Sequence, residues 1–189
     1  DRGATWTLKG HAGATGLCGL VVRPDSSDIL YAGAGFGQIS KSTNQGQNWR
    51  LVKPGGSQEI PKFAIDPSNP QIAYATAFAG TLSSDGVWKT TDGGEHWSLT
   101  AMASKSMWCI DIDPQHPGTV YAGAFDDNVA AGIQKTTDGG ATWVQLDKGL
   151  DRNYAMWNLK VDPLDSTNIY VACTVGDFGP NGVYKLSNA

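Results

Sequence analysis

Short apolar runs, broken by proline and followed by a tyrosine, recur along the whole chain. Val21–Gly35 reads VVRPDSSDILYAGAG. It aligns without gaps to Ala64–Phe78 (AIDPSNPQIAYATAF), Asp111–Phe125 (DIDPQHPGTVYAGAF) and Lys160–Thr174 (KVDPLDSTNIYVACT). Proline cannot donate to a sheet ladder, so Pro24, Pro67, Pro114 and Pro163 predict turns between two strands. No apolar period near 3.6 residues runs long enough to predict a helix.

A second phrase keeps step with the first. KTTDGGEHW (Lys89–Trp97) returns as KTTDGGATW (Lys135–Trp143), in weaker form as KSTNQGQNW (Lys41–Trp49), and as a back half, DRGATW, at Asp1–Trp6. GVYKLSNA (Gly182–Ala189) supplies a front half. The tryptophans Trp6, Trp49, Trp97 and Trp143 lie 43, 48 and 46 residues apart. A period in the forties marks an array of supersecondary units. Each unit reads as four short strands, A to D. In the third unit these are Trp108–Asp113, Thr119–Phe125, Gly132–Thr136 and Trp143–Asp147. Four-stranded units punctuated by glycine and aromatics predict an all-β fold, a β-propeller of four-stranded antiparallel blades. The blades fall near 7–49, 50–97, 98–143 and 144–189, with residues 1–6 completing a turn.

The phrase sits between strands C and D, where its residues have local work. The aspartate accepts backbone N–H bonds across the turn, the glycine supplies positive φ, and the Thr or Ser adds a hydroxyl bond. The tryptophan opens strand D and is expected to bury its ring, above all at Trp97 and Trp143. Thr90-x-Asp92-x-Gly94-x-x-Trp97 and Thr136-x-Asp138-x-Gly140-x-x-Trp143 resemble the Asp-box, or bacterial neuraminidase repeat. Asn44 and Trp49 form a variant of it, and Asp1 and Trp6 a partial copy. The resemblance implies that these residues are structural and lie away from the binding face, so Asp92 and Asp138 are not expected to be catalytic.

The ends do not complete a blade. Trp6–Gly10 reads as a strand D, and the C-terminal unit has only strands A to C. Pairing of Trp6–Gly10 with Gly182–Leu186 would close a ring. Alternatively, the chain is a segment of a larger propeller, or two chains meet to make eight blades. Aligned on the lysine, Asn188 already fills the place of Asp1, so the ends overlap. That overlap favours a segment, completed by further blades or a partner chain.

Composition narrows the partners. The 189 residues carry a net charge of −4 with no basic run, which argues against nucleic acid. No apolar stretch is long enough to span a membrane. Cys18, Cys109 and Cys173 are an odd count in strand-like contexts and read as buried thiols, not a disulfide framework. His11, His96 and His116 fall in different parts of the unit, so neither a metal nor a cofactor is expected.

Binding residues belong on the D-to-A and B-to-C connections, which share the face that opens on the central channel. Asp126, Asp127, Asp177, Asp85 and Glu59 are its candidate carboxylates, the first three as weak catalytic candidates. Trp108, Trp157 and Tyr154 are candidate platforms for stacking sugar rings, as are Phe125 and Phe178, and Arg152 is a candidate hydrogen-bond donor. The repeat pattern resembles secreted glycoside hydrolases of the xyloglucanase type. That implies a polysaccharide partner and an extracellular or periplasmic site of action. The sequence departs from the family's early B-to-C aspartate: Gly35 stands there in the first unit, and Phe125 in the third. No catalytic residue carries over. The alternative is a non-catalytic protein- or glycan-binding propeller of the sorting-receptor or assembly-factor type. A sialidase would need three convergent arginines, and Arg2 and Arg23 fall on the wrong face.

Overall fold

The computed structural model describes residues 5–13, 16–53, 59–78, 85–103, 105–124, 132–146, 154–175 and 181–187. Four antiparallel sheets follow one another along the chain. The first joins β1 (Leu17–Arg23), β2 (Ser26–Ala34), β3 (Ile39–Ser42) and β4 (Arg50–Lys53) in that order. The second joins β5 (Phe63–Ile65), β6 (Ala73–Ala77), β7 (Gly86–Thr90) and β8 (Ser98–Ala103). The third joins β9 (Met107–Ile112), β10 (Val120–Ala124), β11 (Ile133–Thr136) and β12 (Val144–Leu146). The last joins β13 (Tyr154–Val161), β14 (Asn168–Val175) and β15 (Gly182–Ser187). These are β-propeller blades, and the fourth has three strands among the described residues.

The sheets correct the expected boundaries at 49, 97 and 143. β4, β8 and β12 each start one residue after the turn tryptophan and pair back onto the preceding strand. Each sheet therefore ends after its tryptophan rather than at it. The outermost strand of a blade belongs by hydrogen bonding to the strands that precede it.

The core lies between neighbouring sheets. Tyr74, Val87 and Met102 of the second blade pack with Met107, Ile110 and Val120 of the third. Cys109, Tyr121 and Ile133 of the third pack with Met156, Leu159 and Val171 of the fourth. Interior B strands are covered on both faces: every residue of β6 and of β10 is buried. This accounts for their small side chains. A Cβ on Gly33 would stand 2.2 Å from the Ile60 carbonyl oxygen, so the backbones themselves are in contact there.

The repeated turns share one wiring scheme. The hydroxyls of Ser42, Thr90 and Thr136 each accept the N–H four residues on, from Gly46, Gly94 and Gly140, each at 2.9 Å. Asp92 Oδ1 accepts the N–H groups of Glu95 and His96, both at 3.0 Å. Asp138 Oδ1 accepts Thr142 N–H at 2.9 Å, and Oδ2 accepts the Thr142 hydroxyl at 2.6 Å. Asn44 Oδ1 accepts Asn48 N–H at 2.8 Å, so the amide oxygen substitutes for a carboxylate. The expectation that Trp97 and Trp143 are buried needs correcting. Trp49, Trp97 and Trp143 are half-buried, and Trp6 is 93% exposed. Asp1 lies outside the described residues.

These bonds hold the turn carboxylates ionised. His96 N–H and the His96 ring keep Asp92 well below the usual carboxylate range. The Thr142 hydroxyl and N–H hold Asp138 at about 2, against an ordinary value of 3.8. A depressed folded-state value stabilises the fold above the unfolded value, and that contribution is lost as pH falls from about 4 to about 2. Asp138→Asn should therefore flatten the acid side of a melting-temperature profile in this window. An unchanged slope would contradict the role given to the carboxylate.

Two clasps join the turn of the second blade, and two that of the third, to the blade before. Tyr31 of β2 donates its hydroxyl to the Gly93 carbonyl of the second blade at 2.6 Å. Tyr74 of β6 donates to the Gly139 carbonyl of the third at 3.2 Å, and Lys89 Nζ donates to the same oxygen at 2.7 Å. Lys41 reaches across instead to Glu95 at 2.7 Å.

Candidate functional site

The end of the blades opposite the repeated turns carries a row of aromatic rings. Strand A begins there and strand B ends there, as the pairing of Ala124 with Met107 shows. Phe78 follows β6, Trp108 is the second residue of β9, and Trp157 is the fourth of β13. The Phe78 and Trp108 rings meet edge to face, with centroids 5.3 Å apart at 85°. Trp108 and Trp157 meet likewise, at 5.9 Å and 81°. Phe78 and Trp108 are half-buried and Trp157 is 44% exposed, so the row crosses three blades and surfaces at its end. Edge-to-face packing fixes each ring against the next.

Polar contacts orient the row. Trp157 Nε1 donates to Thr174 Oγ1 at 3.2 Å. The Thr76 hydroxyl lies 3.3 Å from the Trp108 carbonyl oxygen and donates to it. Glu59 and Phe78 exchange both backbone bonds, Glu59 N–H to Phe78 O at 2.7 Å and Phe78 N–H to Glu59 O at 3.0 Å. That bridge anchors an exposed carboxylate residue to the first ring of the row.

The other predicted site residues divide. Asp85 is 1% exposed and accepts the Ser106 hydroxyl at 2.9 Å, which ties the second blade to the third. Its burial removes it from ligand contact. The backbone of Tyr154 starts β13. Asp126, Asp127, Asp177, Arg152, Phe125 and Phe178 lie outside the described residues. Asp111 and Lys160, on neighbouring A strands, pair at 3.1 Å and line a cleft at the turn end of the channel together with Val21 and Phe63.

Sequence reasoning missed two residues. Phe78 holds the gapless place of Phe125, and that alignment was the signal. Lys53, at the end of β4, is buried; its Nζ donates to the Gly37 carbonyl at 2.7 Å and lies 4.2 Å from the Trp88 ring centroid. Burial lowers this amine to about 8. The expectation of three buried thiols also needs correcting. Cys109 and Cys173 are buried, but Cys18 is exposed, with its Sγ 3.4 Å from the Ile60 carbonyl oxygen. Among the described residues no group of His, Cys, Asp and Glu is placed to hold a metal ion, and no helix is long and apolar enough to cross a membrane.

Fold and sequence together place the chain among known proteins. No protein-family model matches it. Xyloglucanase Xgh74A of Acetivibrio thermocellus is 27% identical over 168 residues, covering 68% of this chain and 19% of that protein. The crystal structure of an ancestral GH74 enzyme superposes with a TM-score of 0.76 at 19% identity, over 93% of this chain and 24% of that one. The GH74 enzyme of Niastella koreensis superposes with a TM-score of 0.71 at 25% identity, over 91% of this chain and 28% of that one. The chain is a β-propeller segment similar in sequence and fold to glycoside hydrolases. Its curated relatives are xyloglucanases, and it spans about a fifth of the length of those it matches.

Proposed function

We propose that this chain is a β-glucan-binding segment of a xyloglucanase-type propeller, acting on polysaccharide outside the cytoplasm. The observation that carries the reading is the row Phe78–Trp108–Trp157, set at the blade end where A strands begin and exposed at Trp157. Flat aromatic faces cover the apolar faces of pyranose rings, while the carboxylate of Glu59 is suited to hydroxyls. An extended glucan chain, with its regular succession of rings, matches a row of this kind. The similar xyloglucanases act on a polymer, and a polymer of that size meets its enzyme outside the membrane. The repeated turns serve as Asp-boxes, clips that hold strands C and D. Cleavage would need two carboxyl groups flanking the bond. Asp126, Asp127 and Asp177 are the carboxylates proposed for that work on sequence grounds, with Arg152 and Tyr154 as further sugar contacts.

Calorimetric titration of the chain with xyloglucan oligosaccharides tests the reading. Trp157→Ala should weaken binding about tenfold, the loss of roughly 1.4 kcal/mol expected for one well-used aromatic anchor. The melting temperature should fall less than for a core aromatic, since 44% of the residue is exposed. Affinity that is insensitive to both Trp157→Ala and Trp108→Ala would remove the row from the site.

A further inference from the structure

Three sulfur atoms come together in the seam between the third and fourth blades, and we propose that they form a binding site for one soft monovalent metal ion, copper(I). This inference does not depend on the glycan reading.

Cys109 of β9 and Gly123 of β10 stand opposite each other in the third blade. Met156 of β13 and Cys173 of β14 stand opposite each other in the fourth. Opposed residues of an antiparallel pair project from the same face of their sheet. The two faces meet, and Cys109, Met156 and Cys173 belong to one core cluster with Tyr121 and Val171. A Cβ on Gly123 would stand 2.6 Å from Cys109 Sγ and 2.9 Å from Met156 Sδ. Sulfurs of two different blades therefore converge on one point that the glycine leaves open. Cys173, as the cross-strand partner of Met156, brings the third sulfur to the same face. All three residues are buried, at 0%, 1% and 3% exposure.

The fold does not ask for sulfur here. Counted from the proline of each blade, the places of Cys109, Met156 and Cys173 are held at the first seam by Gly19, Ile60 and Ala77. At the second seam they are held by Lys62, Met107 and Ala124. The correspondence is structural as well, since Gly33, in the place of Gly123, packs on Ile60. The first seam closes without sulfur at these places and the second with one thioether. Among these seams only the third collects three sulfurs.

The donor set selects the ion. Thiolate and thioether are soft ligands that favour copper(I), whereas carboxylate and carbonyl oxygens suit magnesium and calcium. Zinc also binds thiolates, but as a divalent ion with four ligands of the Cys, His or carboxylate type. Two cysteines fall short of a metal-binding group of the His, Cys, Asp and Glu kind, and the methionine supplies the missing donor. Charge decides the rest, because an uncompensated charge in a buried apolar seam is costly. A monovalent ion displaces the proton of one thiol, so that copper(I) and R–SH give a copper(I)–thiolate and a released proton. The metal–thiolate unit is neutral. The thioether and the second thiol add donors without adding charge. Copper stays in its +1 state, and no electron moves.

Titration of the purified chain with copper(I), under reducing anaerobic conditions and against a chromophoric copper(I) chelator, tests the site. Every protein used carries Cys18→Ala, which removes the exposed thiol as a competing ligand. One ion per chain is expected, with a thiolate-to-copper(I) absorption in the ultraviolet and sulfur neighbours in X-ray absorption. Bound copper(I) should raise the melting temperature, because the three ligands meet in the folded chain alone. Met156→Ile and Cys173→Ala install the residues of the first seam, so both variants should keep the circular-dichroism spectrum. Each should weaken copper(I) binding at least about tenfold, which is already the effect of losing an outer-shell partner of a metal. A chain that takes up no copper(I) against the chelator overturns the proposal. So does uptake that either substitution leaves unchanged.

Discussion

Replacing Gly94 with alanine is expected to destabilise the protein by about 3 kcal/mol, from left-handed backbone strain and overpacking together. The residue sits at φ 83°, where a β-carbon is disfavoured, and that carbon would stand 2.4 Å from Cε1 of Tyr31. Tyr31 cannot give way without losing its 2.6 Å bond to the Gly93 carbonyl. The control is Gly13→Ala. Gly13 shares the conformation, at φ 70°, but a β-carbon there meets nothing within 4 Å. Only the backbone term remains, about 1 kcal/mol. Urea unfolding should separate the two variants clearly, and equal losses would show that the turn does not press on the neighbouring blade.

Trp97→Ala should cost about 3 kcal/mol, the low end for a large aromatic. The ring is only half-buried, which lowers the estimate, but it meets Tyr31 at 6.1 Å and 85° and Phe63 at 6.2 Å and 66°. Phe63 belongs to its own blade and Tyr31 to the one before, so truncation opens the seam between two sheets. Thermal unfolding measures the loss. A change below about 1 kcal/mol, the range of surface substitutions, would mean that Trp97 only decorates its turn.

The repeat made the fold legible. A proline turn, a Tyr-Ala run and a Thr-x-Asp-x-Gly-x-x-Trp phrase at a period in the forties determine strand order and turn geometry, because each acts within a few residues of itself. The sheet boundaries were harder, since ladder pairing of β4 with β3 is decided one residue beyond the tryptophan that marks the phrase. The site was legible only in part. Trp108 and Trp157 share a position relative to proline, which pointed to them. Phe78 joins the row through a backbone bridge to Glu59, and Lys53 is buried against Trp88; neither depends on local sequence. Asp85 looked like a loop acid and proved to be a latch to Ser106, a contact 21 residues away.

The four described clasps all run the same way, from an earlier blade to the turn of a later one. The molecule therefore behaves as a directional one-dimensional array with nearest-neighbour coupling. Its buried apolar clusters span the seams between neighbouring blades. Damage to the second or third blade removes two couplings and leaves its neighbours uncoupled from each other. Interior turns such as the one around Gly94 are accordingly where a single atom can do the most harm.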